Sequence, residues 1–344
     1  MTDILISFLY KLTLLPLGAK LPREDILVET IQKIALYNVA TRVESREDFC
    51  WVTKHDDRKI SIISRNEPKE YLGSGTYAKK VYAGTIFFLQ EDSPVKMCHA
   101  AIIKVAISSF SLAPYELLNK VPRSPFLGGR PVQCLFTDKY TFIVQKRLSE
   151  PPLSNQLKTE ESPHLFIQGM RAMACGLSVL HSHGIVHRDP KSNNSTSKEL
   201  FDYNTICSVE GVHPLKGAPI PSLPPEVIFS LKELPGLNPS IREKIEKRHK
   251  ELSMWDEEAS VLLERKKTIS IIDGNPAFSF DPSFDVFVFG MEFVYAYGHP
   301  MTWDESHPLF NIKKLILSTL HFDQEKRPSM ITVEEGLNLF INSK

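Results

Sequence analysis

The chain has 344 residues, 42% hydrophobic and 24% charged, an ordinary globular composition with ample material for a core. Its 41 Lys and Arg balance 41 Asp and Glu, so the formal net charge is zero. That argues against a dedicated nucleic-acid binder and against whole-molecule attraction to an anionic membrane.

The five cysteines (Cys50, Cys98, Cys134, Cys175, Cys207) are scattered and form no C-x-x-C pair. Free thiols in a reducing, cytoplasmic setting are expected, in preference to a zinc or redox site. The N-terminal run MTDILISFLYKLTLLPLG is apolar, but Asp3 and Lys11 interrupt it and it is too short to span a bilayer. It is expected as a helix packed on the main domain, with a membrane-surface anchor as the alternative. Arg23 to Val43 has helical periodicity and residues 59–64 suggest a short strand. Residues 1–66 are thus expected as a helical N-terminal extension that carries no chemistry.

Residues 67–148 alternate strand-like runs around one brief helix. Tyr71 to Phe88 predicts strand, glycine turn, strand; His99 to Ser108 a β-branched strand; Tyr115 to Val121 a short helix; Arg130 to Leu148 two strands. From Pro163 the pattern turns helical, with an apolar stripe from Leu165 to His183 and more helices over 278–344. This order predicts an α+β chain with two lobes and a cleft. Residues 230–275, with the run REKIEKRHKE, form a charged insertion expected as a solvated helix anchored by Trp255 and Leu262. Five prolines between Pro214 and Pro225 predict an extended loop.

The segment LGSGTYAKKVY at 72–82 places Gly73 and Gly75 between strand-like flanks, where N–H groups can approach phosphate oxygens closely. A glycine turn alone is weak, and no G-x-x-x-x-G-K-[ST] occurs. Lys104 sits in the apolar strand AAIIKVA and either faces water at an edge or points into a cleft toward phosphate; the glycine turn upstream favours the second. Glu116 is either an ordinary surface glutamate or the carboxylate that fixes Lys104. The strongest signal is HGIVHRDPKSNN at 183–194. In a phosphoryl-transfer arrangement Asp189 accepts a hydroxyl proton, Lys191 neutralises charge on the moving phosphoryl group and Asn194 holds a metal ion.

This stretch resembles the catalytic loop H-R-D-x-K-x-x-N of eukaryotic-type protein kinases. SLPPEV at 222–227 is similar to the A-P-E element. FDVFVFGMEFVYAYGHP at 284–300 is similar to the helix whose aspartate, here Asp285, braces the catalytic loop. HFDQEKRPS at 321–329 supplies Arg327 as the partner of Glu226. The resemblance covers about residues 67–344 and implies a small β-rich lobe (about 67–148), a larger helical lobe (about 149–344), ATP with Mg²⁺ or Mn²⁺, and a protein substrate. Lys191 follows the serine/threonine pattern. Gly73, Gly75, Lys104 and Glu116 would serve the nucleotide, and Asp189 and Lys191 the transfer.

The chain departs from the family in several places. Ala78 replaces the third loop glycine, and Pro190 the usual leucine. The segment from Asn194 to Glu226 is short and offers few hydroxyls for phosphorylation, so the partner of Arg188, which would meet such a phosphate, is not evident. No D-F-G triplet is present. At TICSVEGV (205–212) either Val209 or Glu210 stands in its place, and only Glu210 would supply a metal-binding carboxylate. Asp273 in ISIIDGN is the second candidate. The lost triplet motivates the rival expectation of a pseudokinase acting as a nucleotide-binding or scaffolding module; a small-molecule kinase is a weaker third.

Overall fold

In the computed structural model the chain divides into two units, residues 1–110 with 129–149, and residues 111–128 with 150–344. The structure describes residues 43–44, 49–56, 59–65, 71–73, 78–90 and 96–106, and residues 111–343 apart from 137–139, 149, 160–161, 216–218, 256–267 and 273. The helices expected before residue 43 lie outside the described residues.

The first unit is one antiparallel sheet. Its strands are β1 (Val43–Glu44), β2 (Phe49–Asp56), β3 (Lys59–Arg65), β4 (Tyr71–Gly73), β5 (Ala78–Gln90), β6 (Lys96–Ala106), β7 (Pro131–Phe136) and β8 (Tyr140–Lys146). Their order is β1-β2-β3-β5-β6-β8-β7, with β4 paired to β5. The strands expected at 71–88, 99–108 and 130–148 are present. Ala100, Ala101, Ile102 and Val105 of β6 and Phe142, Ile143 and Val144 of β8 are all buried, so these strands are covered on both faces and read as apolar runs, not alternations.

One expectation is corrected here. The stretch ending at residue 66 is not a helical extension throughout, because β1, β2 and β3 belong to the sheet. Strand β3 pairs with β5 from Lys59↔Gln90 to Arg65↔Gly84. The short strand expected at 59–64 is present as β3, and its β-branched Ile60, Ile62 and Ile63 suit a pleated ladder.

The second unit is helical: α1 (Ala113–Asn119), α2 (Leu153–Thr159), α3 (Pro163–His181), α4 (Pro225–Lys232), α5 (Pro239–Ser253), α6 (Pro282–Tyr297), α7 (Lys313–Thr319) and α8 (Met330–Asn342). Two short sheets join them: β9 (Ile185–Val186) with β10 (Cys207–Ser208), and β11 (His213–Pro214), β13 (Asn275–Phe278) and β12 (Ser270–Ile272) in that order. The brief helix α1 belongs to this unit and not to the β-rich one as the sequence suggested. Leu118, Val121 and Leu127 explain this, since they join the helical core.

Helix α6 organises that core. Phe284, Val286, Phe287, Val288, Phe289, Met291 and Phe293 are buried around its circumference, the pattern of a core helix and not a surface one. Asp281 caps it by accepting Ser283 N–H at 2.9 Å. Phe293 meets Phe166 of α3 edge-to-face at 5.1 Å between centroids. Within the insertion, α5 is the expected charged helix. Buried Arg248 stacks 4.8 Å from the ring of Trp255, the predicted anchor; Leu262 lies outside the described residues. Among the described residues no helix is long and apolar enough to cross a membrane.

Candidate active site

The catalytic-loop sequence leaves β9 at His187, where Asp285 of α6 receives it. Asp285 is fully buried and accepts His187 N–H and Arg188 N–H, each at 2.7 Å, while His181 lies 2.9 Å from the same carboxylate. A buried charge needs this degree of satisfaction, and the brace expected from sequence is present. Arg188 has φ 69°, a left-handed conformation that turns the chain sharply into Asp189.

Asp189 is buried, with Oδ2 accepting from Lys191 Nζ at 2.7 Å and Asn194 Nδ2 at 3.1 Å. Asn194 Nδ2 also donates to the Asp189 carbonyl at 2.9 Å; two acceptors on that side fix the amide orientation. Asp189 Oδ1 is buried and has no hydrogen-bond partner among the described residues. Burial raises the Asp189 pKa above the ordinary aspartate value, the Lys191 ammonium and the His187 ring draw it back, and the charge of Asp202 adds to the rise. Burial lowers the His187 pKa, while the charges of Asp285, Asp189 and Asp202 act against that shift. Asp189, Lys191 and Asn194 are therefore brought together as expected.

Asp202 is the residue that the sequence analysis missed. After Asn194 the chain folds back at once: Ser195 bridges Leu200, Thr196 N–H donates to Glu199 O at 2.8 Å, and Phe201 N–H donates to Asn194 O at 2.8 Å. The next residue, Asp202, thereby comes near enough to Asp189 for its charge to act on that carboxyl. It is exposed, has φ 64°, and receives Asn204 Nδ2 at 2.8 Å. Tyr203 is buried, donates to Leu200 O at 2.7 Å and meets His187 edge-on at 6.0 Å between centroids. Asn204 in turn accepts from Tyr115 OH of α1. The available signal was the triplet Asp202-Tyr203-Asn204, an acid, an aromatic and a residue that tolerates left-handed backbone.

Glu210 is corrected for the same reason. Strand β10 runs antiparallel to β9, pairing Cys207 with Val186 and Ser208 with Ile185. Residues after β10 are thus carried toward Gly184, away from Asp189. Val209 N–H donates to Gly184 O at 2.8 Å, its side chain packs on the core, and Glu210 is exposed beyond it. Neither fills a place beside Asn194. Asp273 lies outside the described residues. No group of three or more His, Cys, Asp or Glu gathers as a metal cluster among the described residues. An acid and an amide beside a phosphate nevertheless suit Mg²⁺, which binds through one or two carboxylates and keeps substrate oxygens and waters as its other ligands.

Glu292 was also missed. It lies two turns after Asp285 on the same face of α6, and its Oε2 accepts Ser192 N–H at 2.7 Å. Burial raises its pKa. The loop from His187 to Asn194 is therefore held by one carboxylate on each side of Asp189. Further away, Arg327 and Glu226 form the expected pair: Nη1 to Oε1 is 2.9 Å and Nη2 to Oε2 is 2.7 Å, both residues buried.

The nucleotide-side residues are placed only in part. Gly73 ends β4 opposite Val81, and Gly75 lies outside the described residues. Lys104 is in β6 between Lys80 and Phe142 in the ladder, but its side chain is outside the described residues. Glu116 is exposed on α1, in the other unit, so the expected Lys104–Glu116 contact has no described geometry. Of the cysteines, Cys175 and Cys207 are free and buried, and burial pushes both thiols up to about 12, which makes them unreactive. No protein-family model matches the chain, and a search of curated proteins returns no match.

Proposed function

We propose that the chain has the two-lobe protein-kinase fold and is an ATP-dependent serine/threonine protein kinase. The observation that carries this reading is Asp189 with an unpaired buried Oδ1, flanked by Lys191 and Asn194, and near enough to Asp202 to feel its charge. On this reading Asp202-Tyr203-Asn204 takes the D-F-G place, which supports the kinase over the pseudokinase alternative.

Asp189 Oδ1 is the atom offered to a substrate hydroxyl; it orients the oxygen and takes its proton. Lys191, anchored on Oδ2, places positive charge next to that oxygen and keeps Asp189 from turning. Asn194 and Asp202 would hold Mg²⁺, which when bound neutralises phosphate charge. Gly73, Gly75 and Lys104 would serve the phosphates, with Glu116 directing Lys104. Asp285 and Glu292 fix the loop beforehand, so little reorganisation remains at the moment of transfer.

The test is transfer of the ATP γ-phosphate to a generic acceptor protein with Mg²⁺ or Mn²⁺. Asp189→Asn should remove transfer and leave nucleotide binding in place. Undiminished turnover in that variant would refute the role of Asp189; nucleotide binding without any transfer by the native chain would favour the pseudokinase.

A further inference from the structure

The sequence left Arg188 without an evident phosphate partner, and the structure supplies other partners. Its Nε donates to Thr205 O, its Nη1 donates to Pro214 O at 2.7 Å, and its guanidinium lies 5.0 Å from the ring centroid of Phe280. One buried side chain thus ties the start of the segment between Asp202 and Glu226 to its middle.

The second tie comes from the strand that follows the insertion. His213 pairs with Phe278 and Pro214 with Ala277, and Leu215 N–H donates to Pro276 O at 2.7 Å. Strand β13 is itself backed by β12. Phe280, two residues beyond β13, packs on Phe278 at 4.4 Å and Phe284 at 5.0 Å. Residues 276–280, directly after the insertion, therefore give both a strand edge for residues 213–215 and the aromatic face under Arg188.

The hydroxyls of residues 203–225 are Tyr203, Thr205, Ser208 and Ser222. Each has a structural partner: Leu200 O, His187 O, Glu210 N–H and Tyr295 OH respectively. Phosphorylation would break one of these contacts before it made a new one.

We infer that the β12–β13 pair and Phe280 hold residues 205–215 of the activation segment by strand addition, so that these residues are ordered and the proposed transfer proceeds without activation-segment phosphorylation. The second clause rests on the kinase reading; the first does not.

The experiment uses the full chain, dephosphorylated and checked by mass. Hydrogen exchange should show residues 205–215 protected in this form. Leu215→Pro removes the ladder donor and should speed exchange there by about tenfold or more. Phe280→Leu keeps the volume, removes the π face, and should give a smaller loss in the same residues; cooperative thermal unfolding of both variants guards against global misfolding. Phosphatase treatment should leave transfer within about twofold, whereas Leu215→Pro should lower it about tenfold with ATP affinity retained. Rapid exchange over 205–215 in the dephosphorylated native chain, or transfer that appears only after phosphorylation, would overturn the inference. Protection that is present and lost in Leu215→Pro, with no transfer in any sample, would uphold the strand clamp and sink the kinase assignment.

Discussion

Arg327→Met is the perturbation whose magnitude follows most directly from the geometry. The Arg327 guanidinium is wholly buried, makes two parallel bonds to Glu226 at 2.9 and 2.7 Å, and also donates to His321 O at 2.7 Å. Its plane lies 4.9 Å from the ring centroid of Phe287 in α6. Methionine keeps much of the volume but strands the Glu226 carboxylate and the His321 carbonyl. Removing one member of a buried pair costs about 3–5 kcal/mol. For a domain of this size that corresponds to a Tm lower by about 6–20 °C. Glu226→Gln should cost less, because the amide oxygen still accepts and Arg327 keeps its carbonyl partners. The double variant Glu226→Leu with Arg327→Met should recover part of the loss, since no buried charge is then left alone. Thermal unfolding by circular dichroism, with urea midpoints alongside, reads all three. An Arg327→Met Tm within about 2 °C of native, or a double variant less stable than Arg327→Met, would refute the reasoning.

Asp202→Asn should abolish the divalent-ion dependence of nucleotide binding, while Glu210→Gln should leave it unchanged; calorimetric titration with and without Mg²⁺ separates the two, and the reverse pattern would restore the Glu210 assignment. Transfer needs ionised Asp189, and burial raises its pKa, so the acidic limb of the kcat/KM profile should lie above that of an ordinary aspartate. Lys191 is the leading influence that lowers this pKa, so Lys191→Met should move the limb to still higher pH; a shift to lower pH would contradict the geometry. Glu292→Ala leaves the Ser192 N–H without its acceptor, at about 1–3 kcal/mol, and should lower kcat more than it raises KM for ATP. Glu292→Gln keeps an acceptor and should restore most of the rate; equal losses in both variants would show that the carboxylate does not act through the Ser192 hydrogen bond.

Local patterns carried most of what the sequence determined. The strands at 71–88, 99–108 and 130–148, the helix from Pro163 and the core helix around Asp285 are written in periodicity and apolar runs, which depend on near neighbours. The Asp189, Lys191 and Asn194 cluster was legible because its members lie within one short loop. The Asp285 brace and the Glu226–Arg327 pair are far apart in sequence and were legible only through ordered motifs. The second acid near Asp189 was decided by tertiary structure. Which carboxylate comes near depends on how tightly residues 195–201 turn back and on the antiparallel sense of β9 and β10, and a linear spacing encodes neither. The same holds for Glu292, which meets Ser192 only because α6 passes beneath the loop. It holds also for the stretch around the insertion, whose charged sequence signals a solvated helix, while the strand that follows it, β13, is set against β11 by long-range pairing that no local propensity specifies.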